Sequence, residues 1–316
     1  MTNPVTFIVG CPRSGTTLLR HILNAHPQIV ITPEAHWIPL WFEERRGLTS
    51  DGLVTPELIR ALLAHDKFAM FRLGPDELTS LAGRGQAISY ASFVTGIFDL
   101  YGRVRGKELV GNKTPDSARR MDTLHALWPQ ARFVHLIRDG RDVALSLKNW
   151  PKVRNKTPGT FPTWRRDPVT TASFWWELNV RRAREAGELL GPELYHEMRY
   201  ESLVAHPEQE CAALCDFLGL KYEEAMLHYH AAYEKGAAGQ VVAREQQPIT
   251  SGLRNWRTQM LADDVERFEA AAGALLGELG YPLAFAHPRP VAVEHSRQIR
   301  NLLAKMPKGV RPYGLA

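Results

Sequence analysis

Cysteine is scarce in this chain: three in 316 residues, at Cys11, Cys211 and Cys215. That is too few for a disulfide framework. Cys211 and Cys215 stand four apart on an expected helix, where buried thiols are the ordinary outcome. Cys11 has no adjacent histidine to activate it as a nucleophile. Long apolar runs are missing too. No stretch approaches the roughly 20 apolar residues of a membrane-spanning helix, and the apolar N-terminal run has strand length, not the length of a secretory signal. A cytoplasmic protein is expected. There is no internal repeat and no His, Cys, Asp or Glu cluster at metal-ligand spacing. Charge is nearly balanced, with 39 Lys and Arg against 34 Asp and Glu, net +5. This mild basic bias suits anionic ligands in general, and no RNA- or DNA-binding signature accompanies it. At 44% hydrophobic residues the composition is that of a globular protein with a sizeable core.

What is present is concentrated early. Val5 to Val9 is a short β-branched, apolar run that reads as a buried strand. The pattern breaks at Gly10 and Pro12 and resumes as a helix through Leu18, Leu19, Ile22 and Leu23. A strand, a tight glycine turn and a helix N-terminus aim backbone N–H groups and a helix dipole at one point. Gly15 permits close approach of a ligand, Ser14, Thr16 and Thr17 add hydroxyls, and Arg13 adds a guanidinium fork. The spacing Gly10 to Gly15 fits the phosphate-loop template G-x-x-x-x-G-K-[ST], with Thr16 where the lysine belongs. Without that lysine, an ATPase or kinase is disfavoured.

Further along, Gln28 to Thr32 reads as a second strand ending in Pro33-Glu34-Ala35-His36. A carboxylate just past a parallel strand's end is placed for chemistry, so Glu34 is the candidate base, with His36 second. Residues 45–101 form a helical insertion that walls an acceptor pocket. Glu108 to Pro115 is strand and turn carrying Lys113, opening a helix over Asp116 to Trp128. Ala131 to Ile137 is the clearest central strand; Arg138 ends it, and Ser146 follows two helical turns on. Both can converge on one anion, the alternative being an ion pair of Arg138 with Asp139 or Asp142. Trp150 to Pro168 is a basic, proline-rich loop. Thr170 to Leu190 is a helix with Trp175 and Trp176 as core residues, and Leu194 to Arg199 is a last strand before Tyr200. A basic tail, 286–316, places Ile299, Leu302, Leu303 and Met306 on one helical face.

Pro12-Arg13-Ser14-Gly15-Thr16-Thr17 resembles the 5′-phosphosulfate loop of sulfotransferases that use 3′-phosphoadenosine-5′-phosphosulfate (PAPS). The longer run Pro12 to Pro39, with Ala25-His26-Pro27 and Glu34…Ile38-Pro39, is similar to tyrosylprotein sulfotransferases and their bacterial relatives. The resemblance implies that Arg13, Ser14, Gly15, Thr16 and Thr17 hold the 5′-phosphosulfate and that Lys113 bonds the leaving phosphate. It implies a 3′-phosphate site at Arg138 and Ser146, and an adenosine contact at Tyr200. Ser251 and Arg254 would close over the nucleotide, although Asn255 stands where the family places arginine directly before tryptophan. The expected fold is α/β, a central parallel sheet with helices on both faces and a phosphate-loop-like nucleotide site. One domain over 1–285 precedes the tail. The expected reaction moves a sulfuryl group from PAPS to a hydroxyl, less readily an amine, of a small-molecule, glycan or peptide acceptor, with no metal and no nucleic acid. A small-molecule kinase and a non-catalytic nucleotide-binding module are the alternatives. Neither the acceptor nor the oligomeric state has a signature.

Overall fold

The computed structural model describes residues 4–83, 87–149, 163–232, 249 and 254–305. At its centre are five strands, β1 (Thr6–Val9), β2 (Ile29–Thr32), β3 (Leu109–Lys113), β4 (Arg132–Ile137) and β5 (Tyr195–Arg199). All pair in parallel, in the order β2-β3-β1-β4-β5. Because parallel sheets are covered on both faces, β1, β2 and β4 are nearly continuous apolar runs, whereas the edge strand β5, Tyr-His-Glu-Met-Arg, buries only Met198 fully. In β1, Phe7 and Val9 turn to one face and Ile8 to the other.

The first face is covered by α5 (Tyr90–Arg103) through Phe93, Val94, Ile97 and Phe98. The opposite face is covered by α1 (Thr16–Ala25) through Leu19, Ile22 and Leu23 and by α10 (Pro207–Leu218) through Leu214, Cys215 and Leu218. This is the doubly covered parallel sheet that the sequence predicts. A further layer joins α7 (Gly140–Lys148), α8 (Pro168–Leu190) and α12 (Ala262–Glu278) through Val143, Leu147, Trp176, Phe268 and Leu275. Trp175 and Trp176 are buried there, as their apolar surroundings require.

Strand register decides where the chemistry sits. Ile8 pairs with Lys113, Val9 with His135, Thr32 with Asn112 and Ile137 with Arg199. The carboxyl ends are therefore level, and Gly10, Glu34, Lys113, Arg138 and Tyr200 all leave the sheet on one side. In open parallel sheets that side forms the ligand crevice.

The insertion supplies α3 (Pro56–Leu63), α4 (Pro75–Leu81), most of α5 and a 3-10 turn, Phe68–Phe71. Phe68 and Phe71 are buried and pack edge-on against Trp37, the first residue of α2 (Trp37–Glu43), with ring centroids 6.0 and 6.4 Å away. This fixes the turn firmly beside Glu34. One expectation needs correction: the helix expected over Asp116 to Trp128 is two pieces, a 3-10 turn Pro115–Arg119 and α6 (Met121–Leu127). They are separated at Arg120, whose φ of −138° and ψ of 29° are not helical. At the break Arg119 lies over the Trp175 ring of α8, 4.5 Å from its centroid, while Arg120 donates to Glu43 of α2 at 2.9 Å.

At the β2 margin the Ile31 N–H donates to Asn24 Oδ1 (2.6 Å) and its C=O accepts from Arg20 Nε (3.1 Å), both from α1. Beyond α9 (Tyr200–Ala205) and α11 (Trp256–Gln259), α13 (Pro290–Ala304) buries Ile299 and Leu303 against Phe174 of α8. Met306 and residues 150–162 of the basic loop lie outside the described residues. Among the described residues no helix is long and apolar enough to cross a membrane.

Candidate active site

The turn after β1 is tight because its backbone leaves no alternative. Gly10 has φ +150°, and a Cβ there would fall 2.5 Å from the Leu136 carbonyl oxygen of β4. Gly15 has φ +98° and lies against the Tyr200 ring, so close that a Cβ would overlap Cδ2 and Cε2. Between them Arg13 takes φ +80°, a left-handed conformation uncommon for a side-chain-bearing residue. Such strain concentrates at ligand clamps. By helix geometry the first amides of α1, at Thr16, Thr17 and Leu18, have no acceptor within the helix. Ser14 Oγ is buried without a hydrogen bond among the described residues. Cys11 is fully buried beneath the turn, and burial pushes its thiol well above the ordinary range, which removes it as a thiolate nucleophile.

Lys113, at the end of β3, meets this turn. Its Nζ donates to Glu34 Oε1 at 2.8 Å and lies 3.4 Å from Thr17 Oγ1. An ammonium thus reaches the turn from a neighbouring strand, although the turn's own lysine position holds Thr16. The Lys113 side chain is 6% exposed and that of Glu34 is 32% exposed. Glu34 Oε2 accepts from Lys67 Nζ at 2.9 Å and lies 3.3 Å from His36 Nε2. Burial alone would raise the Glu34 carboxyl, but the His36 hydrogen bond and the Lys113 and Lys67 ammoniums outweigh it and hold it well below the usual carboxylate range. For Lys113 burial dominates, and its ammonium is held below the usual lysine range despite Glu34.

Past β4, Arg138 lies with its guanidinium 4.1 Å from the Tyr200 ring centroid. Its Nη2 pairs with Asp142 Oδ2 at 3.5 Å, while Nε is buried without a hydrogen bond among the described residues. Ser146 Oγ, two turns into α7, accepts from Arg13 Nε at 3.1 Å. The side chains expected at the two ends of a nucleotide, Arg13 and Ser146, therefore touch. Tyr200 packs between Gly15 and Arg138 and supports both.

Asp142 also accepts from the Trp256 backbone N–H at 2.8 Å, and Asp139 accepts from Trp256 Nε1 at 3.0 Å. The Trp256 ring lies between the guanidiniums of Arg141 (3.7 Å) and Arg257 (4.4 Å). Arg141 is wholly buried, bidentate on Asp139 and paired with Glu269 of α12. Arg254 is thereby carried to this end of the sheet as the second residue before Trp256. Ser251 lies outside the described residues. Burial is the main reason that the Asp142 carboxyl is pushed up to about 6, against the pull of Arg138 and the Trp256 N–H.

Sequence reasoning missed Lys67, Asp142 as a tether for Trp256, and the buried Arg141. Lys67 stood in an insertion without a motif, and Arg141's partner Glu269 lies 128 residues away. Only Asp142 left a trace, as a potential partner of Arg138. Among the described residues no group of three or more His, Cys, Asp or Glu is arranged to hold a metal ion. The donor set is instead anion-seeking. Loop amides, the orphaned Ser14 hydroxyl and the orphaned Arg138 Nε fit a nucleotide with phosphate groups at both ends.

Comparison with known proteins identifies the family. Protein-tyrosine sulfotransferase 2 of Gallus gallus is 26% identical over 321 residues, covering 98% of this chain and 79% of that protein. The nodulation protein NoeE of Sinorhizobium fredii is 26% identical over 317 residues, covering 92% and 68%. Among solved structures, the sulfotransferase domain of the Synechococcus PCC 7002 olefin synthase superposes with a TM-score of 0.60 at 25% identity, covering 90% of this chain and 97% of that one. The model of the sulfotransferase family matches residues 4–224. The chain belongs to the sulfotransferase family and is a transferase.

Proposed function

We propose that this enzyme moves a sulfuryl group from PAPS to an acceptor hydroxyl, with Glu34 as general base and Lys113 on the leaving phosphate. One observation carries the reading: a single buried ammonium, that of Lys113, lies between the anion-seeking turn at Thr17 and the carboxylate of Glu34. PAPS supplies an activated sulfuryl group, and its transfer leaves charge on the 5′-phosphate. Lys113 is placed to donate a hydrogen bond where that charge grows, a contact stronger in the transition state than before it. The amides and hydroxyls of Ser14 to Thr17 hold the 5′-phosphosulfate. Arg13 joins them there, while Arg138 and Ser146 hold the 3′-phosphate, with Tyr200 beneath Arg138 beside the adenosine and Arg254 and Ser251 closing over the nucleotide. Glu34 takes the acceptor's proton, and positioning supplies the remainder of the rate. The acceptor is assigned only as a hydroxyl compound.

The test is thermal stabilisation by adenosine 3′,5′-bisphosphate, beside AMP and ATP–magnesium. A ligand at a hundred times its dissociation constant adds about 2.7 kcal/mol. Stabilisation by the bisphosphate alone is expected. Stabilisation by ATP–magnesium alone would overturn the reading in favour of a kinase.

A further inference from the structure

We infer that Lys67 is a positioning residue that occupies Oε2 of Glu34 until an acceptor hydroxyl takes its place. The inference rests on the sulfuryl-transfer reading above and deepens it at one atom. Glu34 has each oxygen capped by a different ammonium, Oε1 by Lys113 at 2.8 Å and Oε2 by Lys67 at 2.9 Å. A carboxylate so engaged accepts a proton poorly, because both cations favour its ionised form. Lys113 has a second task at the turn, since its Nζ also lies near Thr17 Oγ1. Lys67 has no second side-chain partner among the described residues.

The two lysines also differ in freedom. The Lys113 side chain is 6% exposed, whereas that of Lys67 is 40% exposed. The backbone at Lys67 is held by the buried Phe68 and Phe71, so only its four-carbon stem has to move. Pro33, Met70 and Arg72, close to Glu34 and Lys67 in the chain, line an open groove of about 510 Å³. The other ionisable groups around the pair are His36 at the start of α2, Lys113 from β3 with Arg20 of α1 behind it, Asp116 facing His36 at 3.9 Å, and His65 and Asp66 preceding Lys67. None of them takes Oε2 in the way Lys67 does; His36 shares that oxygen at the longer distance of 3.3 Å.

The consequence concerns water. Water attacking sulfur would form an S–O bond while the S–O bond to the 5′-phosphate breaks. The electron pair stays on the phosphate and water's proton goes to Glu34, so sulfate is wasted. With Oε2 held by Lys67, that proton has no ready acceptor.

Lys67→Met and Lys67→Arg test this against the native enzyme. First, carbon-13 carboxyl NMR of the protein without nucleotide follows the Glu34 signal, identified by its loss in Glu34→Gln. In Lys67→Met the signal should titrate at higher pH, and in Lys67→Arg as in the native protein. Second, sulfate release from PAPS without acceptor should rise roughly tenfold in Lys67→Met, about one pKa unit of added basicity, and stay native in Lys67→Arg. An unchanged Glu34 titration, or unchanged sulfate release, would overturn the role of Lys67. If neither the native protein nor any variant were stabilised by adenosine 3′,5′-bisphosphate, the sulfuryl-transfer reading itself would fail, a separate and recognisable result.

Discussion

Lys113 and Glu34, 79 residues apart in the chain, form an ion pair at 2.8 Å in which the lysine is almost wholly withdrawn from water. Removing one partner of such a pair costs more than removing both, because a buried charge is left uncompensated. Glu34→Gln, Lys113→Met and the double variant should therefore show a coupling of about 1–3 kcal/mol by urea unfolding. Additive losses would mean that solvent already compensates Lys113. Each single variant should lose about two to four orders of magnitude in turnover while still binding adenosine 3′,5′-bisphosphate.

Arg138 stands over Tyr200 with its Nε hydrogen-bonded to nothing among the described residues. A charged hydrogen bond to a 3′-phosphate contributes about 1.5–3 kcal/mol. Arg138→Ala should weaken adenosine 3′,5′-bisphosphate by about one to two orders of magnitude in calorimetry and leave AMP nearly untouched. Equal losses for both nucleotides would move the 3′-phosphate elsewhere.

Gly15 combines φ +98° with van der Waals contact to Tyr200. Gly15→Ala should destabilise the fold by roughly 1–3 kcal/mol and abolish stabilisation by the bisphosphate. Adding Tyr200→Ala should relieve the overlap and leave the backbone strain, restoring part of the melting temperature. Full restoration would show that the turn has no need of glycine's conformational freedom.

Asp142 has its carboxyl pushed up to about 6, so between the unfolded value near 4 and that value the folded chain binds more protons than the unfolded one. Its ionisation therefore lowers stability as pH rises through this window. Asp142→Asn keeps an oxygen for the Trp256 N–H and removes the charge. It should melt like the native protein below about pH 4 and progressively higher above it, by up to about 3 kcal/mol once pH passes 6, two pKa units at 1.36 kcal/mol each. A constant difference at every pH would assign the effect to packing.

The parallel sheet was legible because β1, β2 and β4 are largely apolar runs punctuated by glycine, proline or charge. The turn from Gly10 to Thr17 was legible because its residue types suit only a few backbone paths. The pairing of Lys113 with Glu34 was not, since it depends on strand order: β3 lies between β1 and β2, a fact of tertiary packing. The split at Arg120 was equally hidden, as it accompanies two long-range partners, Trp175 and Glu43. Trp256 read as part of a nucleotide-closing segment. Its attachment to Asp139 and Asp142 spans more than a hundred residues, beyond the reach of local pattern.

Asn24 and Arg20 use their side chains on the outward N–H and C=O of Ile31. The middle of the β2 margin is thus closed to any further strand, the usual route to sheet-to-sheet aggregation. A polypeptide meeting this face cannot extend the sheet there through its own backbone, and contact must be made by side chains. Helix α1 consequently serves two parts of the fold: its first turn follows the Gly10–Gly15 turn, and Arg20 and Asn24 further along it cover the β2 edge.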